Sequence, residues 1–219
     1  WRVLDERYKD ASGDVKGKLL LAENALTSNI PFYENYDKRT INDVTVDANN
    51  YMNSQIRAYL NGLSYISNTE FNTKWMNSGF LHVAFGEKGR KTIKTINVDN
   101  SGKQMSKDAS TDINERYACP STKDKIFLLS EYEVVKYSKE AYNDGNQGNS
   151  RIRVSTDFAK ANYINQNSNE KFGCFWWLRS PAAITNIYAQ RVMLNGNTYN
   201  IIETKTQSNG VVPALCVDF

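Results

Sequence analysis

Apolar residues in this sequence come in short runs, and their brevity decides which folds are open to it. The longest, Phe172 to Leu178 and Val211 to Val217, fall far below the ~18 residues that argue for a membrane-spanning helix. No membrane insertion is expected. Short runs bounded by Gly, Asn and Pro read as strands. A chain of 219 residues removes about 70% of its extended surface from water on folding, so its core needs neither metal nor disulfide. The net charge of +3 lacks the clustered basic stripe of nucleic-acid binders, and no nucleic-acid partner is expected. One histidine, His82, removes most His-based metal sites and leaves a triad only through that residue.

Trp1 to Leu4 and Gly17 to Ala22 read as two strands of a hairpin across Lys9 to Val15. In Asn53 to Gly62, residues Ile56, Tyr59, Leu60 and Leu63 stand at i, i+3, i+4 and i+7. Asn53 or Ser54 caps this helix and Gly62 suits its left-handed end. The one-turn spacing of Phe71 and Trp75 predicts a second helix, Thr69 to Met76, with its apolar face on the core. Gly86 to Pro120 reads as loop with one strand near Thr92 to Val98. Lys125 to Leu129 reads as a strand, and Ser130-Glu-Tyr-Glu133 as a capping box opening a helix through Tyr142. Turn chemistry at Asn143 to Ser150, a short helix from Ser155 to Ala161 and a polar loop at Asn162 to Glu170 follow. The C-terminal third holds strands at Phe172 to Pro181 and Ile187 to Leu194, then Asn197 to Glu203 beyond a tight Asn195-Gly196 turn. A last strand spans Val211 to Val217, with Pro213 marking an edge or bulge. Helices followed by antiparallel strands predict an α+β fold, one domain over 1–219 with loop insertions at about 86–120 and 143–170.

No enzyme motif emerges. The Gly-x-Ser-x-Gly elbow is missing, no Asp-rich calcium loop appears, and Cys119, Cys174 and Cys216 form no C-x-x-C pair. Buried free thiols are expected, with a Cys174–Cys216 disulfide open if their strands pair suitably. Neither a cofactor nor a metal is expected. The 26 Asn and 13 Tyr instead suit a recognition surface, because Tyr offers rigid amphipathic area and Asn adaptable hydrogen bonds. Trp176 and Trp177 face opposite ways on a strand, which leaves one for the core and one, Trp176, as a binding platform. Arg179 suits a structural ion pair or carbonyl cap. Tyr188, Gln190 and Val192 share one strand face, and Ile187, Ala189, Arg191 and Met193 the other. With Asn186, Asn195, Asn197 and Tyr199, the residues Tyr188 and Gln190 form the candidate ligand-binding cluster. The expected core is Trp1, Leu19 to Leu21, Leu60, Phe127, Trp177 and Leu215.

Trp177-Leu-Arg-Ser-Pro181 and Gly210-Val-Val-Pro-Ala-Leu215, preceded by Trp1-Arg-Val-Leu4, Leu19 to Leu26, Ser54-Gln-Ile-Arg57 with Leu60-Asn61-Gly62, and Phe127-Leu-Leu-Ser-Glu131, resemble a bacterial and viral domain family with these motifs in the same order. Val212 stands where that family carries Arg. Its members look like relatives of the C-type-lectin-like fold, in the branch of formylglycine-generating enzymes and the variable proteins of diversity-generating retroelements. The resemblance implies N- and C-terminal strands in one sheet, two helices, mostly antiparallel strands with long loops, and a second small sheet bearing the binding surface. It places a diversified stretch at Ile184 to Asn200. The function expected from it is a non-enzymatic module on a virion or cell surface, binding a protein or glycan ligand on another cell or particle. A fixed-specificity glycan-binding extracellular module is the nearest alternative. An enzyme of the formylglycine-generating or hydrolytic kind, using Cys174 and Cys216, is the other.

Overall fold

The computed structural model describes residues 1–68, 70–105, 115–138, 149–162, 164, 173–198 and 200–218. The first half carries β1 (Arg2–Lys9), β2 (Val15–Leu21), β3 (Arg39–Ile41), β4 (Val44–Val46), α1 (Gln55–Asn61), β5 (Tyr65–Ser67), β6 (Glu70–Asn72), α2 (Phe80–Ala84), α3 (Glu87–Thr92) and β7 (Ile96–Val98). The second half carries β8 (Thr122–Asp124), β9 (Ile126–Phe127), α4 (Glu131–Tyr137), α5 (Asp157–Ala161), β10 (Trp176–Pro181), β11 (Tyr188–Val192), β12 (Ile201–Glu203) and β13 (Ala214–Val217).

The two ends of the chain meet in a four-stranded sheet of order β1-β2-β13-β9, and β10-β11-β12 form a second sheet. The pairs β3-β4, β5-β6 and β7-β8 are separate hairpins or ribbons, and all these pairings are antiparallel. The fold is α+β, built of small antiparallel sheets and short helices. No helix among the described residues is long and apolar enough to cross a membrane.

Both larger sheets are packed on both faces, because strand side chains alternate. Leu19, Leu21, Phe127, Ala214 and Cys216 enter one core with Trp176 and Leu178. Ile126, Leu215 and Trp177 enter the other with Phe32, Tyr51, Ile56 and Leu60. Helix α1 forms as its spacing predicts, with the Ser54 side chain accepting from the Arg57 N–H and Gly62 at φ 66 closing it. Helix α4 opens on the capping box of Ser130 and Glu133.

Several expectations are corrected. Trp1 is 48% exposed and lies outside the core. The helix expected over Thr69 to Met76 is not found in its described residues, 70–76: Asn68 stands at φ 55 and β5 pairs with β6, Ile66 opposite Phe71. Local turn chemistry overrides the one-turn spacing of Phe71 and Trp75, since a left-handed residue between two strands favours a hairpin. Trp75 instead packs edge-on against Tyr59, 4.9 Å between ring centres. Region 86–120 includes helix α3. Helix α4 ends at Tyr137, where Ser138 turns extended and bonds back to Val134; residues 139–148 lie outside the described set. The cap of α5 is Thr156 rather than Ser155. Strand β13 is central, not an edge; Pro213 sits just before it, where its missing N–H costs no ladder bond, and its carbonyl accepts from the Ala22 N–H at 3.0 Å. All three cysteines are free thiols, so Cys174 and Cys216 form no disulfide.

Candidate functional site

The cluster expected on the C-terminal strands does not assemble as one surface. Trp176 is 1% exposed, its indole N–H donating to the Arg151 carbonyl at 3.1 Å, so it offers no platform. Gln190 is buried too, because both faces of β11 are covered: Val192 faces one core and Ala189 the other. Asn186 and Tyr188 are half-buried at one end of β11. There Asn49 ties them down: its N–H bonds the Asn186 carbonyl at 3.0 Å, and its amide bonds the Thr185 and Tyr188 carbonyls. Asn195 and Asn197 lie past the other end, the Asn195 side chain accepting from the Asn197 N–H. Arg151 reaches under that turn to the Gly196 carbonyl at 2.6 Å. A strand rises about 3.3 Å per residue, so the length of β11 alone sets the two groups more than about 10 Å apart. Tyr199 lies outside the described residues.

A roomier opening than any on those strands lies over α1, between the β3-β4 and β5-β6 hairpins, among the described residues. It encloses about 320 Å³, and Ile41, Met52, Asn53, Arg57, Ile66 and Phe71 line it. That volume falls in the range of small-ligand clefts. Its walls form for local reasons. Asn42 and Asp43, at φ 49 and 62, adopt the paired left-handed conformation that closes a two-residue hairpin. The second hairpin is clamped from outside: Asn35 donates to the Asn68 side chain at 2.9 Å, and the Asn68 N–H bonds the Tyr33 hydroxyl at 3.0 Å. Glu34 accepts from Tyr65 at 3.1 Å and from the Ser67 hydroxyl. On the floor, Arg57 pairs with buried Asp124 at 2.9 Å and donates to the Met52 carbonyl.

Above this fixed floor the rim is apolar and open. Phe71 is 66% and Met52 38% exposed. An exposed ring beside amide and guanidinium groups can stack on a ligand and fix its orientation by hydrogen bonds. The one-turn spacing of Phe71 and Trp75 predicts a core-facing Phe71; the polar Ser67-Asn68-Thr69-Glu70 between short apolar stretches is the signal for the hairpin that exposes it.

The thiols are poorly placed for chemistry. Burial pushes Cys174 up to about 12 and Cys216 up to about 11, from 9.0, and raises Cys119 as well. The Cys174 thiol donates to the Arg153 carbonyl. Since the thiolate is the nucleophile, the native protein at pH 8 is expected to react with iodoacetamide far more slowly than the urea-unfolded chain. Equal rates would contradict this. The linked effect on stability has a definite sign. Above pH 9 the unfolded chain releases thiol protons that the fold still holds, so stability declines as pH rises from about 9 towards 12. His82 lies in α2, its ring against Gly62. No group of three or more His, Cys, Asp or Glu with metal-binding geometry occurs among the described residues.

Comparison with known proteins adds a family but no activity. No curated protein matches the chain, and no solved structure matches it. The family model of DUF6273, a domain of unknown function, matches residues 16–219, which takes in every strand and helix except β1 and the first residue of β2. The chain belongs to the DUF6273 family.

Proposed function

We propose that this chain is a non-enzymatic recognition module that takes a protein or glycan ligand in the groove over α1. The observation that carries the reading is an opening of about 320 Å³ with Phe71 on its rim, two-thirds exposed, on walls held by hydrogen bonds and an ion pair. Binding energy concentrates in such aromatic anchors. Fixed walls also limit the ordering entropy that binding must offset.

A C-type-lectin-like arrangement is part of the proposal. Its support is the pairing of N-terminal β1 and β2 with C-terminal β13 in one sheet, with a second, three-stranded sheet beside it. Display on a virion or cell surface, and diversification by a retroelement, rest on the motif resemblance. Within Ile184 to Asn200, the positions that tolerate change on this fold are the outward ones, such as Ile184, 77% exposed, and Asn197. The buried, proton-retaining Cys174 and Cys216 weigh against the thiol-dependent enzyme.

The test is binding of the full chain to a glycan array and to a displayed peptide library. Phe71→Ala is expected to weaken the selected interaction tenfold or more, roughly 1.4 kcal/mol. Its effect on stability should stay within about 0.5 kcal/mol, as for other exposed positions. Absence of binding on both libraries would contradict the proposal, as would a Phe71→Ala protein that binds unchanged.

A further inference from the structure

On the footing that ligand enters the groove over α1, we propose that it is a neutral, polyhydroxylated ring, the pyranose unit of an uncharged glycan. The polar atoms that line the groove and remain unspent set this class. Arg57 gives Nε to both Asp124 oxygens, at 2.9 and 3.2 Å, and Nη1 to the Met52 carbonyl. Its Nη2 meets no acceptor among the described residues and is open to solvent, on a side chain 17% exposed. Asn53 spends its side-chain nitrogen on Asn50, which leaves Oδ1 open to solvent and without a donor among the described residues. The Ser64 hydroxyl and the exposed Asn42 amide also have no partner among the described residues. One donor, one acceptor and two groups that act as either thus stand around one opening. A sugar hydroxyl donates and accepts at once, so neighbouring hydroxyls on a ring can answer such a mixed set.

Charge narrows the class further. Among the described residues that line the groove, Arg57 alone is charged, and buried Asp124 already answers it. An anionic ligand therefore gains little there, and a cationic one meets no carboxylate.

Shape separates a sugar from an apolar peptide side chain. Phe71 stands two-thirds exposed on the rim of an open groove, with Ile66 directly across the β5-β6 ladder from it. That is a platform rather than a closed socket. Its flat face can receive the C–H face of a pyranose while the hydroxyl edge turns to Asn53 and Arg57. The opening of about 320 Å³ far exceeds the roughly 10–15 Å³ that one water needs, which leaves room for a six-membered ring with its hydroxyls.

The experiment is saturation-transfer NMR and calorimetric titration of the full chain with the methyl glycosides of glucose, galactose, mannose and N-acetylglucosamine. Sialic acid and heparin serve as charged probes, cyclohexanol as a ring with a single hydroxyl, and the tightest binders of a displayed peptide library as the competing class. At least one neutral glycoside is expected to bind, with an affinity that changes less than about twofold when salt rises tenfold, since no ion pair forms. Phe71→Leu keeps apolar bulk and loses the aromatic face, so it should weaken that binding about threefold to tenfold. Cyclohexanol should bind at least about threefold more weakly than the glycoside. Preference for sialic acid or heparin, cyclohexanol binding as well as the glycosides, or an unchanged affinity in Phe71→Leu would overturn the proposal. Library peptides seated in the groove, with no neutral glycoside bound, would overturn it too while leaving the groove as the binding site. Binding of neither class there would remove both.

Discussion

Arg179→Met is expected to destabilise the protein by about 3–5 kcal/mol, the loss typical of breaking a buried ion pair from one side. Arg179 is 2% exposed and pairs through Nη1 with the Glu133 carboxylate. The same nitrogen donates to the Leu128 carbonyl at 2.9 Å; Nε and Nη2 hold the Asp99 carbonyl at 3.2 and 2.9 Å, and Nη2 reaches the Gln104 side chain at 3.3 Å. One cation thus fastens β10 to the start of α4 and to the segments following β7 and β9. Burial is the largest influence and opposes its charge, but the adjoining Glu133 carboxylate, Tyr8 and Tyr51 together outweigh it and hold the pKa above its ordinary value. Methionine fills similar space yet leaves the carbonyls without donors and Glu133 without its counter-charge. Urea unfolding measures the loss, and Arg179→Met with Glu133→Gln should recover part of it by neutralising the stranded carboxylate. A single-variant loss below about 1 kcal/mol, the scale of exposed pairs, would show that the buried pair is not a structural tie.

Trp177→Ala carries a loss of similar size, about 3–5 kcal/mol, for a different reason. Its ring is fully buried, packs edge-on against Phe32 with 5.9 Å between centres, and donates its N–H to the Ile30 carbonyl at 3.2 Å. Truncation opens a cavity and strands that carbonyl. Trp177→Phe keeps an aromatic ring in the space and loses the hydrogen bond, so about 1–3 kcal/mol is expected. If urea unfolding gave equal losses for the two variants, the packing account of the second core would be wrong.

Legibility in the sequence followed how local the determining interaction was. Ser54, Gly62 and the Ser130–Glu133 box act within one helical turn, and their helices form where expected. Alternation also placed Trp176 and Trp177 on opposite faces. It could not show that a second core covers the outer face as well, and that long-range packing removes Trp176 and Gln190 from the surface. Phe71 failed in the opposite direction. A spacing shared by helix and hairpin was resolved by Asn68 at φ 55 and by clamps from Tyr33 and Asn35, residues more than thirty positions away. The groove has no sequence signature of its own, since its walls come from four segments brought together only in the fold. Arg179 was readable as a structural arginine from its type and its place near a turn, whereas its partners Asp99, Gln104 and Glu133 were not.

Amide chemical-shift mapping distinguishes the proposed ligand entry at the groove over α1 from entry at the C-terminal strands. The probe is the tightest binder from the glycan array or peptide library, titrated into the isotope-labelled full chain. The largest shifts are expected at Met52, Asn53, Arg57, Ile66 and Phe71, with Tyr188, Asn195 and Asn197 nearly unmoved. Shifts concentrated on Asn186, Tyr188, Asn195 and Asn197, with the groove silent, would contradict it and return the binding surface to the C-terminal strands.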